Sequence, residues 1–516
     1  MLTVLSAISL AQMTVPAIEM VDATWINLAQ RKVVQSQEEV RPLPGSLDQI
    51  PVFNSNSPEV VQTDGILLST FPDKKMASES AHLDYAFEGR FDLFAHHLAR
   101  GLTPGDDRTL YIGILLHNPK KRPVKLDLLQ AVSYLSQEAP FRQLPDYVAN
   151  PLGKTYSGPG SRVTNDVLRG QRQSHWPAQI EIPPRSSRML LNAPIPLRRL
   201  KVPVNGTLPS GSLLLPSAQV LQDKNKSEKS SKNKPIPINA RSTLMHLSSD
   251  GPLYIASLAM YAPVTSSGEE RVPALEEWVD LLRNGDLAGP RDLPPTSPKE
   301  RDFERFFYGR VAGVTQGSKW AAQLTDPSGS DAESVEQFTI PEAGERLSYV
   351  LSTVDYNTFG TQQIQSAPML RRYSDTAYRG HGNYGVEYDL TIPLYNPTDE
   401  TQAVSISLQT PLQDEALTSA LRFREPPSSK IFFRGTVRIR YNSDFGIPLT
   451  RYLHLIQRQG QQGKPLVTLR MKPRQRRLFQ VQLLYPPDAT PPQVLTVETL
   501  LKDALSYQAL DSIGPN

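Results

Sequence analysis

Gly380-His381-Gly382-Asn383-Tyr384-Gly385 matches the pattern G-x-G-x-x-G, and Arg379 stands directly before it. Glycines at that spacing let a backbone approach a pyrophosphate when a strand leads in and a helix leads out. Here the polar stretch Arg371 to Arg379 leads in, and the strand-like Val386-Glu387-Tyr388-Asp389-Leu390 leads out. The spacing therefore predicts a glycine-rich turn entering a strand, not a dinucleotide site. Such a turn still lets the chain come close to a partner, and loops of this kind carry function in many β folds. Arg379 offers a planar fork for a carboxylate or sugar hydroxyls, and Tyr384 offers an aromatic face. If the protein binds a ligand, Arg379, His381, Asn383 and Tyr384 are expected to help build the site, together with Arg90, His96 or His97. The ordinary alternative is a tight turn whose aromatic ring packs on its own domain.

The remaining reactive residues nominate no chemistry. Cysteine is absent, which removes disulfides, thiolate metal sites and cysteine nucleophiles together. Of the eight histidines only His96 and His97 are adjacent, and neighbours on a strand point to opposite faces, so no metal site is expected from them. Asp326, Asp331 and Glu333 fall within eight residues but lack the spacing of a calcium loop; a solvated turn is expected. No P-loop, nucleophile elbow or H-E-x-x-H occurs. Neither a catalytic residue nor a cofactor is predicted.

The elements that must position these residues are short. Proline is abundant, 46 of 516 residues, and that density breaks helices and punctuates strands, so an all-β chain is expected. Thr109 to Leu116 runs into Asn118-Pro119, Pro123 to Leu128 alternates apolar and polar, and Gln179 to Ile182 meets Pro183-Pro184 before Ser187 to Leu191. Gly251 to Pro263 is apolar on both faces. These landmarks repeat. Tyr388 to Asn396-Pro397 echoes the strand leading into Asn118-Pro119, Val404 to Gln409 echoes Val124 to Gln130, and Leu469 to Leu478 aligns without gaps to Ile180 to Met189.

Two tandem β-sandwich domains, jelly-roll or immunoglobulin-like and related by duplication, are the expected architecture. The first spans residues 41–270 and the second 301–516, after an irregular leader-like segment 1–40. Residues 271–300 supply one short linking helix and a proline-rich linker: Leu275, Trp278, Val279 and Leu282 form a stripe that Asn284-Gly285 ends.

The charge balance, 55 basic against 52 acidic residues, gives no reason to expect nucleic acid. Asp223 to Lys234 is locally basic and is expected to be a solvated loop. Leu2 to Leu10, followed by Ala11, has the apolar run and small residues that end a secretory signal, without a basic start; a first strand or frayed terminus is the alternative. No stretch is long and apolar enough for a membrane helix.

Phe94 to Ala99, Gly251 to Pro263, Tyr308 to Trp320 and Tyr485 to Thr499 occur in that order, and together they resemble an uncharacterised cyanobacterial family known only as a domain of unknown function. The resemblance implies an extracytoplasmic protein, periplasmic or on the cell surface, and it carries over no site residue. A non-catalytic envelope protein binding a polysaccharide or another envelope protein is expected, some of its 19 tyrosines and four tryptophans stacking on sugar rings. The alternative is a carbohydrate-active hydrolase with a carboxylate pair between its domains.

Overall fold

The computed structural model describes residues 32–139, 141–197, 236–300, 306–327, 336–414 and 419–501. The leader-like run, the lysine-rich stretch and the acid-rich turn from residue 328 onward lie outside the described residues. The protein is mostly β, with 49% of the described residues in strands and 6% in helices, so sheets and not helices set its architecture.

One strand organises the N-terminal half. Ile238–Tyr261 runs for 24 residues, and its two parts pair with different neighbours. Up to Ser249 it lies antiparallel between Phe87–Arg100 and Val124–Leu135. The register then shifts between Ser249 and Leu253. From Tyr254 the strand pairs with Thr109–His117, and from Ala256 to Ala259 also with Gly65–Ser69. Phe91, Leu126 and Met245 from the first group share one buried cluster with Ile114, Leu191 and Ile255 from the second.

The expected helix is present as Leu275–Asn284. Glu277 accepts a hydrogen bond from the Ala274 N–H at 2.8 Å and pairs with Arg271, which closes its first turn. It is docked and does not act as a spacer: Trp278 and Leu282 are buried with Ile66, Leu115, Ala256 and Leu258. That cover explains why Gly251 to Pro263 is apolar on both faces. Gly113 makes room for it, since a Cβ there would lie 3.0 Å from the Trp278 ring. A second helix, Pro159–Leu168, was not expected from the sequence. Its Ser, Thr and Asn residues are weak helix formers, and burial of Val163, Val167 and Leu168 against Val132 and Leu244 supplies what propensity does not.

The C-terminal half contains a five-stranded sheet in the order Glu39–Arg41, Arg346–Leu351, Gln493–Thr499, Gln402–Gln409 and Pro465–Met471. Its first pair is parallel and the others antiparallel. Pro51–Ser55, Phe87–Arg100, the first half of Ile238–Tyr261, Val124–Leu135 and Gln179–Ile182 repeat this order, these directions and the same succession along the chain. The corners agree atom by atom. Asn118 Nδ2 donates to the carbonyls of Arg122, Ile182 and Pro183 at 2.8, 3.0 and 3.1 Å. Asn396 Nδ2 donates to Glu400, Met471 and Lys472 at 2.8, 3.1 and 3.0 Å. Arg185 and Arg474 both take positive φ, 51° and 57°, at the equivalent turn.

Core and chain do not part at one place. Leu43 packs in the cluster of the C-terminal half with Trp320 and Tyr388, whereas Ala312, Val314 and Tyr373 pack in the N-terminal one. Lys32–Gln37 pairs with Ala420–Glu425. The two halves are thus laced together by Lys32–Gln37 and Glu39–Arg41 from the start of the chain and by Ala312–Gln316 from its middle.

Both corner asparagines are fully buried, so replacing either by alanine leaves three carbonyls short of a donor. Asn118→Ala and Asn396→Ala are each expected to cost about 2–4 kcal/mol. Chemical denaturation checks this, and a loss in one variant without the other would show that the two corners carry unequal weight.

Candidate functional site

The glycine-rich segment does turn into a strand, Glu387–Tyr395, and it sits where the two clusters meet. Gly385 donates its N–H to the Tyr485 carbonyl at 2.9 Å, and a Cβ there would lie 3.1 Å from Leu244 of the N-terminal half. At Gly380 a Cβ would lie 3.0 Å from Thr315 and 3.2 Å from Ala367. Close packing and positive φ at Gly382 and Gly385 explain the glycines without a ligand.

The side chains follow suit. Asn383 is 2% exposed; its Nδ2 donates to the Gln365 carbonyl and Tyr388 Oη at 2.8 and 2.9 Å, and its Oδ1 accepts the Ala367 N–H at 3.0 Å. Tyr384 donates to the Ala489 carbonyl at 3.1 Å, its ring stacked 6.4 Å from that of Tyr485, and burial pushes its hydroxyl up to about 12. His381 Nε2 donates to the Gly309 carbonyl at 2.6 Å, and the ring lies against Tyr308. His381 and Tyr384 are half-buried, and Arg379 is the exposed member of the segment, its side chain 43% exposed and paired with Asp355 at 3.3 Å.

The expected partners from Phe87–Arg100 are also engaged. Arg90 closes on the Asp92 carboxylate and the Phe91 carbonyl. His96 and His97 diverge as the pleat requires. His96 Nδ1 bonds Ser242 Oγ at 2.8 Å, whereas His97 donates from Nδ1 to the Pro58 carbonyl at 2.8 Å and bonds Ser55 Oγ through Nε2 at 2.9 Å. Burial chiefly lowers the basicity of His96 and His381, and the Arg310 guanidinium, itself paired with Glu59, lowers both a little further. Gly380, Asn383 and Tyr384 border a cleft with Asp92, Phe94 and Ser318, but its enclosed space is about 10 Å³, room for a single water.

Burial is the main cause of low histidine basicity throughout. It brings His96 down to about 3 and His97, His381 and His454 down to about 4. His454 is fully buried, and neither of its ring nitrogens has a hydrogen-bond partner among the described residues. No group of three His, Asp or Glu side chains suited to a metal occurs among the described residues.

A roomier cleft lies elsewhere. It encloses about 240 Å³ where the end of helix Pro159–Leu168 meets Val124–Leu135. Tyr134, Asp166, Arg169, Gln171, Arg172 and Gln173 line it, and Leu152 stands exposed at its rim. Asp166 accepts the Tyr134 hydroxyl at 2.6 Å, and burial raises the carboxyl above the usual range. Arg169 spends its fork on Asn165 Oδ1 and the carbonyls of Asn150 and Pro151, its guanidinium lying 3.8 Å over Tyr452. Arg172 spends one N–H on the Leu128 carbonyl at 3.0 Å and keeps the rest for the cleft. The backbone of residues 171–173 is stitched to Ala131, which holds these side chains in place. Sequence reasoning passed over this site. The one signal was the polar run Arg169-Gly170-Gln171-Arg172-Gln173, which has no motif spacing.

A cysteine-free, mostly β protein is thus defined, with the reactive-looking turn inside the structure and an open polar cleft at its edge. The chain belongs to the family described as "Protein of unknown function (DUF3370)", whose model matches residues 38–499. No curated protein matches it. Among solved structures, "Recombinant pro-11S globulin of pumpkin" is 9% identical over 86% of each chain with a TM-score of 0.08, a likeness that carries no argument.

Asn383→Ala, which strands the Ala367 N–H and the Gln365 carbonyl and takes one of two partners from the Tyr388 hydroxyl, is expected to cost about 2–4 kcal/mol. Arg379→Ala is expected to stay within about 0.5 kcal/mol, as for an exposed ion pair. Thermal melts of the two variants check this, and equal losses would overturn the division between buried and exposed members of the segment.

Histidines kept neutral by the fold bind protons in the unfolded chain first. Their stabilising effect is present above the unfolded value of about 6.5 and is lost as pH falls toward about 4, since the unfolded state then holds more protons. Stability is therefore expected to fall steadily over that window. His454→Leu, which removes one such group and its partnerless nitrogens, should flatten the slope by about one proton and raise the melting temperature at pH ~5. An unchanged slope in that variant would show that His454 is not neutral-locked.

Proposed function

We propose that this protein is a non-catalytic component of a cyanobacterial cell envelope, periplasmic or on the cell surface, that binds a polysaccharide in the cleft between helix Pro159–Leu168 and Val124–Leu135. The cleft itself supports this reading: about 240 Å³ in which the Gln171 carboxamide and most of the Arg172 guanidinium face Asp166, while Arg169, Tyr134 and Gln173 are held by the protein's own groups. Planar polar side chains of this kind meet vicinal hydroxyls in pairs, and Leu152 at the rim offers an apolar contact for a ring face. The lining carries one carboxylate, Asp166, whereas glycoside hydrolysis by the usual route uses two, ~5–9.5 Å apart. Binding without cleavage is the better fit.

The same proposal takes the two halves as β-sandwiches that arose by duplication. Its support is the repeated strand order and the matched asparagine corners, which lie in the same sequence positions as the echo. Later exchange of the first segments of the two halves accounts for Leu43 and Val314 packing across them.

The test is co-sedimentation of the full chain with purified peptidoglycan and with extracellular polysaccharide. Native protein is expected in the pellet with one of them, and the Gln171→Ala/Arg172→Ala double variant is expected to bind about tenfold more weakly, the loss of one or two hydrogen bonds to charged or polar groups, without a change in melting temperature. Native protein left in the supernatant with both polysaccharides, or found only in the cytosolic fraction of cells, would overturn the reading.

A further inference from the structure

The hairpin formed by Ile431–Asn442 and Pro448–Arg458 ends in an apolar tip that the fold leaves bare. Phe445 is 91% exposed and Ile447 57%, and Leu449 and Leu478 beside them are exposed as well. This is no loose loop. The Ser443 N–H donates to the Ile447 carbonyl at 2.8 Å, and Ser443 Oγ accepts the N–H groups of Phe445 and Ile447 at 3.3 and 3.1 Å. Arg477, buried at its base, donates to the Asp444 carboxylate at 2.7 Å and to the Asn442 carbonyl, which fixes the tip to the neighbouring strand.

A ring of cations surrounds the tip. Arg440 and Arg451 lie on the two arms within a few residues of the turn, and the Arg470 N–H donates to Asp444 at 3.3 Å, which brings Arg470, Lys472 and Arg476 to the same end. All five are exposed, and among the described residues none is in an ion pair. The acid at the tip, Asp444, is taken by Arg477.

We propose that this tip docks on an anionic lipid surface, Phe445 and Ile447 entering the acyl boundary while the arginines and lysine hold headgroup phosphates. The shape selects a bilayer over a protein. A convex turn with two bare side chains offers far less than the ~800 Å² per partner of a stable protein interface. A bilayer takes such side chains at a depth of ~5–10 Å and adds attraction for each basic residue. A second copy of the chain would set two rings of positive charge against each other. None of these residues lines the polysaccharide cleft, so the proposal stands apart from that reading.

The experiment is sedimentation of the full chain with vesicles of phosphatidylcholine alone and of phosphatidylcholine mixed equally with phosphatidylglycerol. Binding is expected to the mixed vesicles only and to weaken with added salt. Phe445→Ser/Ile447→Ser should lower partitioning by about tenfold or more. Arg470→Gln/Lys472→Gln/Arg476→Gln should lower it by about a hundredfold, at roughly fivefold per cation. Phe445→Trp should shift its emission to the blue on mixed vesicles. Absence of native binding to mixed vesicles at low salt would overturn the proposal. So would unchanged binding of the serine variant, or self-association that this variant abolishes.

Discussion

Every N–H and C=O along Ile238–Tyr261 must find a partner, and this obligation ties the N-terminal half together. A strand of 24 residues can meet it with one pair of neighbours only if those are equally long; here shorter strands share its length in two groups. The register shift near Ser249 lets the strand leave one group and enter the other, so the side chains facing inward from both bury one another. Covalent continuity then fixes the spacing of the layers, and helix Leu275–Asn284 is left to cover the outer face that Ala256 and Leu258 would otherwise expose.

A second constraint acts where strands end inside the protein. Carbonyls at a buried corner need donors, and a single carboxamide at Asn118 or Asn396 serves three of them. The same logic governs Arg379 to Gly385. At the meeting of the two clusters, polar groups are present because the backbone there lacks strand partners, and Asn383 and His381 supply them. Residue types suited to ligand binding are equally suited to this task. Burial, not composition, decides between the two.

The polar cleft and the exposed tip lie in two chain segments that occupy the same place in the repeated strand order. One stands between Val124–Leu135 and Gln179–Ile182 and contains helix Pro159–Leu168; the other stands between Gln402–Gln409 and Pro465–Met471 and contains the long hairpin. They dock on each other. Tyr147–Ala149 pairs with Leu453–Leu455. Asn165 accepts the Thr436 hydroxyl at 2.9 Å, and Arg438 donates to the Leu168 carbonyl at 3.2 Å. The repeated strands thus serve as a frame; the segments between them pack residues such as Val167 and Val437 into the buried clusters and expose the polar cleft and the tip at their edges.

Proline density, the strands around Asn118-Pro119 and their echo at Asn396-Pro397, and the stripe Leu275, Trp278 and Leu282 were legible in the sequence, because period and turn chemistry are local. The absence of a helix after Gly385 was legible for the same reason. Helix Pro159–Leu168 was not, since burial against other strands outweighs its weak propensity. Nor was the packing of Leu43 with Trp320, which depends on contacts almost three hundred residues apart. The candidate site was the least legible part. Arg90, His96, His97, His381, Asn383 and Tyr384 differ from Asp166, Gln171 and Arg172 in surroundings rather than type. Whether a polar side chain faces a backbone carbonyl or an open cleft is set by packing across the whole chain, and only the tertiary structure decides it.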